Sequence, residues 1–525
     1  MNANSPQSPA TETHRAAEPG SGRGIEGGFE PALELDSVAG RDWMGPLLLL
    51  AALLVGLLRF WRLGEWSFWV DEVFTYADAN FGLESDQLWN PLGYRLILGT
   101  ANLLAERPDE FSMRFLPAVV GWLCIPLSFW AFRVWVGDRR AALVAFLLAA
   151  SSWQIFWSQN ARFYTFAMAV TLLGSGFVLR GLLKGKSAQA LLGLLIVAGG
   201  SAFHVTASLM VPALCVAAGF ALYWGRSPKE RAELLPSPFV AKLLGAALLL
   251  GAVIATPWLW SALEHHSAQK GLEDQPGQGG IANLLQGPVH LAMTLGYFYT
   301  PVAGAAAIVG ALWALKRRDP AGSFVLMVTS VVIGSALVIS TEVLMTAQYT
   351  FSVLPWFLLL GVLPLEALGR SATGRNLFKA GALVLCAPAL AGSLLYFTAR
   401  GGERARWRDA YTYVDSQRGE GDLILGMGTS VGEFYLGSNR VDPRRPVVVS
   451  PLGDWFTDGP RRWTRHDRKT WVVVRPQWFD GFDASDAHMI RTWLANECRL
   501  VKSFPQLMEG RDLEVRVYLR DPAAL

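Results

Sequence analysis

The chain is short of charge and short of cysteine. Of its 525 residues 17% are charged and 52% hydrophobic, and the mean hydropathy is positive at +0.29. A soluble protein of this length carries more charge and shorter apolar runs, so that class drops out. The net charge of +3 is too small to mark a nucleic-acid partner. The four cysteines show no CxxC or metal-ligand spacing, which argues against a disulfide framework and a zinc site. Cys124, Cys215 and Cys386 lie in apolar segments, where a thiol serves as a small hydrophobe, and Cys498 lies in the polar C-terminal part. No cofactor is implied, and ligand spacing does not indicate a divalent metal.

The N-terminus also lacks the basic start, apolar core and small-residue cleavage site of a secretory signal. Residues 1–40 are rich in Pro, Ser, Glu and Gly and read as a disordered tail. The apolar run at 44–60 is then an uncleaved anchor. Further runs of spanning length follow at 115–136, 141–157, 163–183, 188–203, 206–224, 240–260, 291–315, 324–339, 349–368 and 378–397. Together they predict an α-helical polytopic membrane domain over 41–399 with about eleven transmembrane helices.

Charge asymmetry orients it. Asp138-Arg139-Arg140, Lys184-Gly185-Lys186, the Arg226–Arg231 and Lys316–Arg318 clusters, and Arg370 with Arg375 and Lys379 occupy alternate connections. The other connections hold Asp71, Glu72, Glu264, His265, His266 and Glu342 with few cations. The positive-inside rule puts the tail and the basic connections in the cytoplasm and the acidic ones outside. An odd number of spans places the C-terminal part outside as well.

Two outer connections are long, 64–112 and 261–288, and long loops over a bundle often cover a site. From residue 400 the character changes. A helix at 407–417, strands at 422–426, 446–450, 470–475 and 514–519, and a helix at 486–496 predict an extracytoplasmic α/β domain over 400–525. No Gly-rich phosphate loop is read there, so the expected role is support or acceptor recognition.

The residues that could carry chemistry gather on the outer side. Asp71 and Glu72 lie in Trp66-Ser67-Phe68-Trp69-Val70-Asp71-Glu72, an aromatic setting just beyond the first span. Adjacent carboxylates diverge on a helix or strand, so one enters a site while the other pairs with a cation or caps local structure. General base toward a hydroxyl or amine suits the first. The second stretch is Ser158-Gln159-Asn160-Ala161-Arg162-Phe163-Tyr164, at the outer end of the third span. On a continuing helix Ser158, Gln159 and Arg162 share a face. Arg162 either snorkels to lipid headgroups or grips a phosphate, and local sequence leaves both open. His204, the His265-His266 pair with Lys270 behind it, Glu342, and Gln348-Tyr349 are further outer polar residues available for substrate contacts.

These stretches resemble the GT-C glycosyltransferases, in particular bacterial relatives of the protein O-mannosyltransferases and aminoarabinose transferases. The likeness rests on Leu57-Leu58-Arg59-Phe60 through Ser67–Val73, on the Ser158–Tyr164 run, on Phe203-His204, and on Trp407-Arg408-Asp409-Ala410 followed by Gly421–Leu425. It implies a GT-C fold and a polyprenyl-phosphate-linked sugar donor. It implies an inverting transfer to an envelope acceptor (protein, lipid or polysaccharide) at the outer face of the cell membrane. Asp71 would be the base, with Glu72 in support. Arg162 would hold the lipid phosphate, aided by Ser158, Gln159 and Tyr164. Relatives carry Arg-Tyr where this chain has Gln348-Tyr349, so Lys270 or a histidine is the expected substitute cation. Two other classes compete: a transporter or flippase, and a scaffold whose outer domain binds envelope components. The first is disfavoured by the lack of an evident inverted repeat and of charges at span centres.

Overall fold

A computed structural model describes residues 43–81, 92–224, 281–317, 320–341, 345–365, 372–427, 429–436, 449–451, 468–481, 484–508 and 511–524. Helix α1 (Met44–Gly56) runs into a 3-10 turn, Leu57–Phe60. Two helices, α2 (Val70–Phe81) and α3 (Leu92–Leu104), occupy the first long connection. Then come α4 (Glu110–Val136), α5 (Asp138–Ala150), α6 (Ser152–Ser158), α7 (Tyr164–Leu183), α8 (Ser187–Gly199) and α9 (Met210–Trp224). The remaining helices of this part are α10 (Ile281–Phe298), α11 (Pro301–Arg317), α12 (Pro320–Ile339), α13 (Leu354–Val362) and α14 (Ala372–Phe397).

Among the described residues four helices are long and apolar enough to cross a membrane, and six spans result if each bent pair counts as one. Shorter apolar helices cover 44–60, 187–202, 205–220 and 347–362. This is a multi-pass membrane architecture, and the described residues by themselves do not establish the expected count of about eleven. The run expected at 240–260 lies outside the described residues. Two expected spans are broken. The run at 291–315 is two helices, α10 and α11, meeting at 104° where Thr300 takes a left-handed φ of 64° before Pro301. The run at 141–157 bends by 63° at Ser151.

A break in a span exposes backbone carbonyls that lipid cannot satisfy. At Ser151 the repair comes from Arg59, itself fully buried. Its guanidinium donates to the carbonyls of Leu148 (3.0 Å) and Ala149 (3.1 Å) and to the Gln154 side chain. Ser151 caps the new helix by accepting from the Gln154 N–H. Helix α4 begins in a capping box, with Asp109 and Ser112 each receiving the other's backbone N–H at 2.7–2.8 Å. It packs so tightly on α6 that a Cβ at Gly121 would fall 2.0 Å from Ser158 Oγ.

The C-terminal part comprises α15 (Trp407–Gln417), β1 (Leu423–Gly426), α16 (Thr429–Leu436), β2 (Val449–Pro451), β3 (Thr470–Val474), α17 (Ala484–Glu497), β4 (Arg499–Phe504), a small pair β5 (Leu507–Met508) and β6 (Arg511–Asp512), and β7 (Val515–Arg520). The main sheet has the order β2-β1-β3-β7-β4. Strand β1 is parallel to β2 and β3, and β7 runs antiparallel to β3 and β4. Gly426 ends β1, and Gly432 lies in α16. The latter serves packing, since a Cβ there would lie 2.7 Å from the Tyr411 ring. The sheet domain packs against α2 and the turn before it. Phe434 packs edge-on to Phe68 and Tyr76, and the Tyr435 hydroxyl accepts from the Phe68 N–H at 2.7 Å.

Candidate active site

Asp71 and Glu72 occupy the first turn of α2, where the helix dipole favours negative charge. Their side chains part, and Glu72 turns inward. It is fully buried, and its two oxygens receive Nε and Nη2 of Arg114 at 2.7 Å each. The Ala161 N–H adds a bond at 2.8 Å, and the Trp69 N–H closes the helix start at 3.4 Å. Burial pushes the Glu72 carboxyl up, but Arg114 beside it, with Arg404 and the Ala161 N–H, holds it below the usual carboxylate range. Arg114 reaches on to the carbonyls of Trp66 (2.8 Å) and Ser67 (2.9 Å), so one buried guanidinium pins the whole approach to α2.

Asp71 is only half-buried. Among the described residues no hydrogen bond or ion pair occupies its carboxylate. Burial raises its pKa above the ordinary aspartate value, with Arg162 opposing and Glu72 adding to the rise. Arg162 follows from the turn between α6 and α7. The helix ends at Ser158 rather than continuing, so Ser158, Gln159 and Arg162 do not share a helical face. Nη1 of Arg162 donates to the Asp71 carbonyl (2.9 Å) and to Thr75 Oγ1 (3.2 Å). The guanidinium lies over the Tyr94 and Phe163 rings at 5.1 and 4.8 Å, and its Nε has no partner.

Around this pair stand Tyr164, His204 and Tyr349. The His204 ring lies 4.9 Å from Phe163, 5.1 Å from Tyr164 and 5.6 Å from Tyr349. Burial, with Arg162 nearby, pushes its pKa down to about 3, so it is a neutral ring at working pH. The structure thus brings Asp71, Glu72, Arg162, Tyr164, His204 and Tyr349 together. It places Ser158 and Gln159 differently: Ser158 bonds the Gln154 carbonyl at 2.7 Å, and Gln159 bonds the Arg59 and Trp61 carbonyls and the Tyr396 hydroxyl. Lys270, His265, His266 and Glu342 lie outside the described residues.

Sequence reasoning missed Arg114, Arg404, Thr75 and Asn160. Asn160 accepts from Trp69 Nε1 at 3.3 Å, and its own amide nitrogen is buried without a partner. Among the described residues no three His, Cys, Asp or Glu side chains converge on a point where they could hold a metal. A small pocket of about 50 Å³ lies where the two broken spans meet, lined by Leu147, Ser151, Phe298, Thr300, Leu354 and Pro388 among others. A row of rings leads from it toward Asp71: Phe298 stacks on Trp153 at 3.7 Å, Trp153 meets Trp157 edge-on at 5.2 Å, and Trp157 lies tilted to Trp69 at 6.4 Å.

No family model and no curated protein sequence matches the chain. Solved structures do. The chain is similar to ArnT from Cupriavidus metallidurans in the apo state, at 12% identity over 91% of this chain and 98% of that one, with a TM-score of 0.53. Against the same protein bound to undecaprenyl phosphate the identity is 14%, the coverage 92% and 98%, and the TM-score 0.51. The apo oligosaccharyltransferase of Archaeoglobus fulgidus matches at 13% identity over 84% and 70%, with a TM-score of 0.50. At such identities the likeness is one of fold: the chain has the fold of ArnT.

Proposed function

We propose that the protein is an inverting glycosyltransferase that moves a sugar from a polyprenyl-phosphate donor to a cell-envelope acceptor at the outer membrane face. The observation that carries this reading is the unpaired Asp71 carboxylate beside the half-buried Arg162, a base next to a cation at the bundle's edge. An acceptor hydroxyl gives its proton to Asp71 while its oxygen attacks the anomeric carbon. The bond from that carbon to the phosphate oxygen breaks on the opposite face, and its electron pair stays on the phosphate. Arg162 offsets the charge gained there. Glu72 takes no proton; it fixes the turn that carries Asp71. Undecaprenyl phosphate is bound in one solved structure of the same fold, which supports a lipid-linked donor. Orientation outward follows from the basic connections.

The test is transfer from a labelled polyprenyl-phosphate sugar by purified protein in proteoliposomes. Asp71→Asn should lower it by about 100- to 10,000-fold while donor binding persists. Full transfer by that variant refutes the assignment. Donor uptake across the bilayer without sugar transfer would favour a flippase instead.

A further inference from the structure

Arg404 sits where the membrane part hands over to the C-terminal part. It is 4% exposed. Its guanidinium lies 4.0 Å from the Phe156 ring and 6.0 Å from the Trp69 ring, and Nε is 3.6 Å from Glu72 Oε2. Nη1 donates to the Gly402 carbonyl at 3.3 Å, whereas Nε and Nη2 find no hydrogen-bond acceptor. A guanidinium buried with N–H groups unmet is costly.

The backbone that delivers it is costly too. Gly401, Gly402 and Glu403 are successively left-handed, at φ 51°, 66° and 55°, and Glu403 bears a side chain that disfavours this. A Cβ on Gly402 would come within 2.3 Å of the Trp66 ring, so the turn is shaped to fit beneath that tryptophan.

Docking of the C-terminal part does not require this arrangement. Arg408 already bonds Ser67 (3.0 Å), the Gly64 carbonyl (3.3 Å) and Glu110 (3.2 Å), and Tyr435 bonds Phe68 and Glu110. Nor is it the hydrogen-bond partner of Glu72, whose two oxygens Arg114 already meets. What Arg404 adds is charge. The groups facing Asp71 and Glu72 are Arg114, Arg162 and Arg404, with Tyr164, Tyr349 and Tyr396 as neutral neighbours and Glu403 paired to Arg400. Three cations thus face two carboxylates.

We infer that Arg404 is a positioning residue of the site: through Glu72 it holds the first turn of α2, and with it Asp71, in working order. The C-terminal part then contributes to the active site rather than only resting on it. This rests on the proposed transferase reading.

The test uses the full-length protein in proteoliposomes with a labelled polyprenyl-phosphate sugar. Transfer by the wild type is the check on the reading itself; its absence fails that reading, whatever the variants do. Given an active wild type, Arg404→Gln should lower kcat about 10- to 100-fold with little change in donor KM. The acid limb of its pH profile should move to higher pH, because a cation facing Asp71 is gone. Arg404→Lys, which keeps the charge, should restore the acid limb and most of kcat. Wild-type kcat in Arg404→Gln overturns the inference, as does a loss of kcat that tracks a fall in melting temperature with the acid limb unmoved. Should the Gln variant fail to fold, the Lys variant decides. A folded Lys variant with a wild-type acid limb and at least about a tenth of kcat upholds the positioning role, and a folded but inert one overturns it.

Discussion

Among the described residues Glu72 is the carboxylate that two buried guanidiniums, Arg114 and Arg404, share as an ion-pair partner, and that asymmetry gives an ordered set of stabilities. Breaking a buried ion pair costs about 3–5 kcal/mol because a charge is left unmatched. In Arg114→Met the Glu72 carboxylate still has the Ala161 N–H at 2.8 Å, the Trp69 N–H at 3.4 Å and Arg404 at 3.6 Å. That variant belongs at the low end, about 3 kcal/mol. In Glu72→Met both Arg114 and Arg404 lose their anion at once, which belongs at the high end, about 5 kcal/mol. The gap of about 2 kcal/mol is roughly a 30-fold difference in the folded-to-unfolded ratio. A simple pair would be rescued by removing both partners. Here the double variant Glu72→Met with Arg114→Met still strands Arg404, so recovery requires Arg404→Met as well. Thermal unfolding in detergent, followed through the 21 tryptophans, reads the series directly. The reasoning fails if Arg114→Met costs as much as Glu72→Met, or if the double variant melts with the wild type.

Asp71 has a raised folded-state pKa, so its ionisation opposes folding as pH rises through that value. Asp71→Asn should therefore melt higher than the wild type at neutral pH, with the difference vanishing below the unfolded aspartate pKa; equal melting at both pH values contradicts this. The same raised value places the acid limb of wild-type kcat/KM above the ordinary aspartate range, measurable as a pH profile. Arg162→Ala should weaken binding of a polyprenyl phosphate by roughly 10- to 100-fold, and unchanged affinity returns Arg162 to headgroup snorkelling. Gly402→Ala combines a left-handed φ of 66° with a 2.3 Å approach to Trp66. It should cost about 1–3 kcal/mol, read as a lowered melting temperature.

The sequence showed the carboxylates of the site more clearly than its cations. Asp71 and Glu72 stand out because charge is rare amid tryptophans, and their adjacency alone forces different directions. Arg114 was hidden by one residue, since the apolar run at 115–136 starts just after it. Arg404 lies in Arg404-Ala405-Arg406-Trp407-Arg408, where it looks like one of several solvated arginines; only the left-handed turn before it sends this one inward. Ser158 and Gln159 misled because hydropathy continues smoothly past a helix end, and the turn after Ser158 delivers Arg162 without them. The same smoothness hid the bends at Ser151 and Thr300, for which Pro301 was the available signal. In the C-terminal part, α16 and the edge strand β4 escaped notice. Strand β4 exposes Arg499, Leu500 and Lys502 and carries no clean alternation.

Arg59 has a consequence for how the chain is made. The first apolar helix reaches the membrane with a guanidinium at its end, and the carbonyls that receive that group lie 89 and 90 residues later. Until Leu148 and Ala149 have been synthesised, the arginine has no internal acceptor beyond its own turn. The opening helix and the broken span therefore complete one another's polar groups only once both are made. Arg59→Leu would leave the Leu148 and Ala149 carbonyls bare.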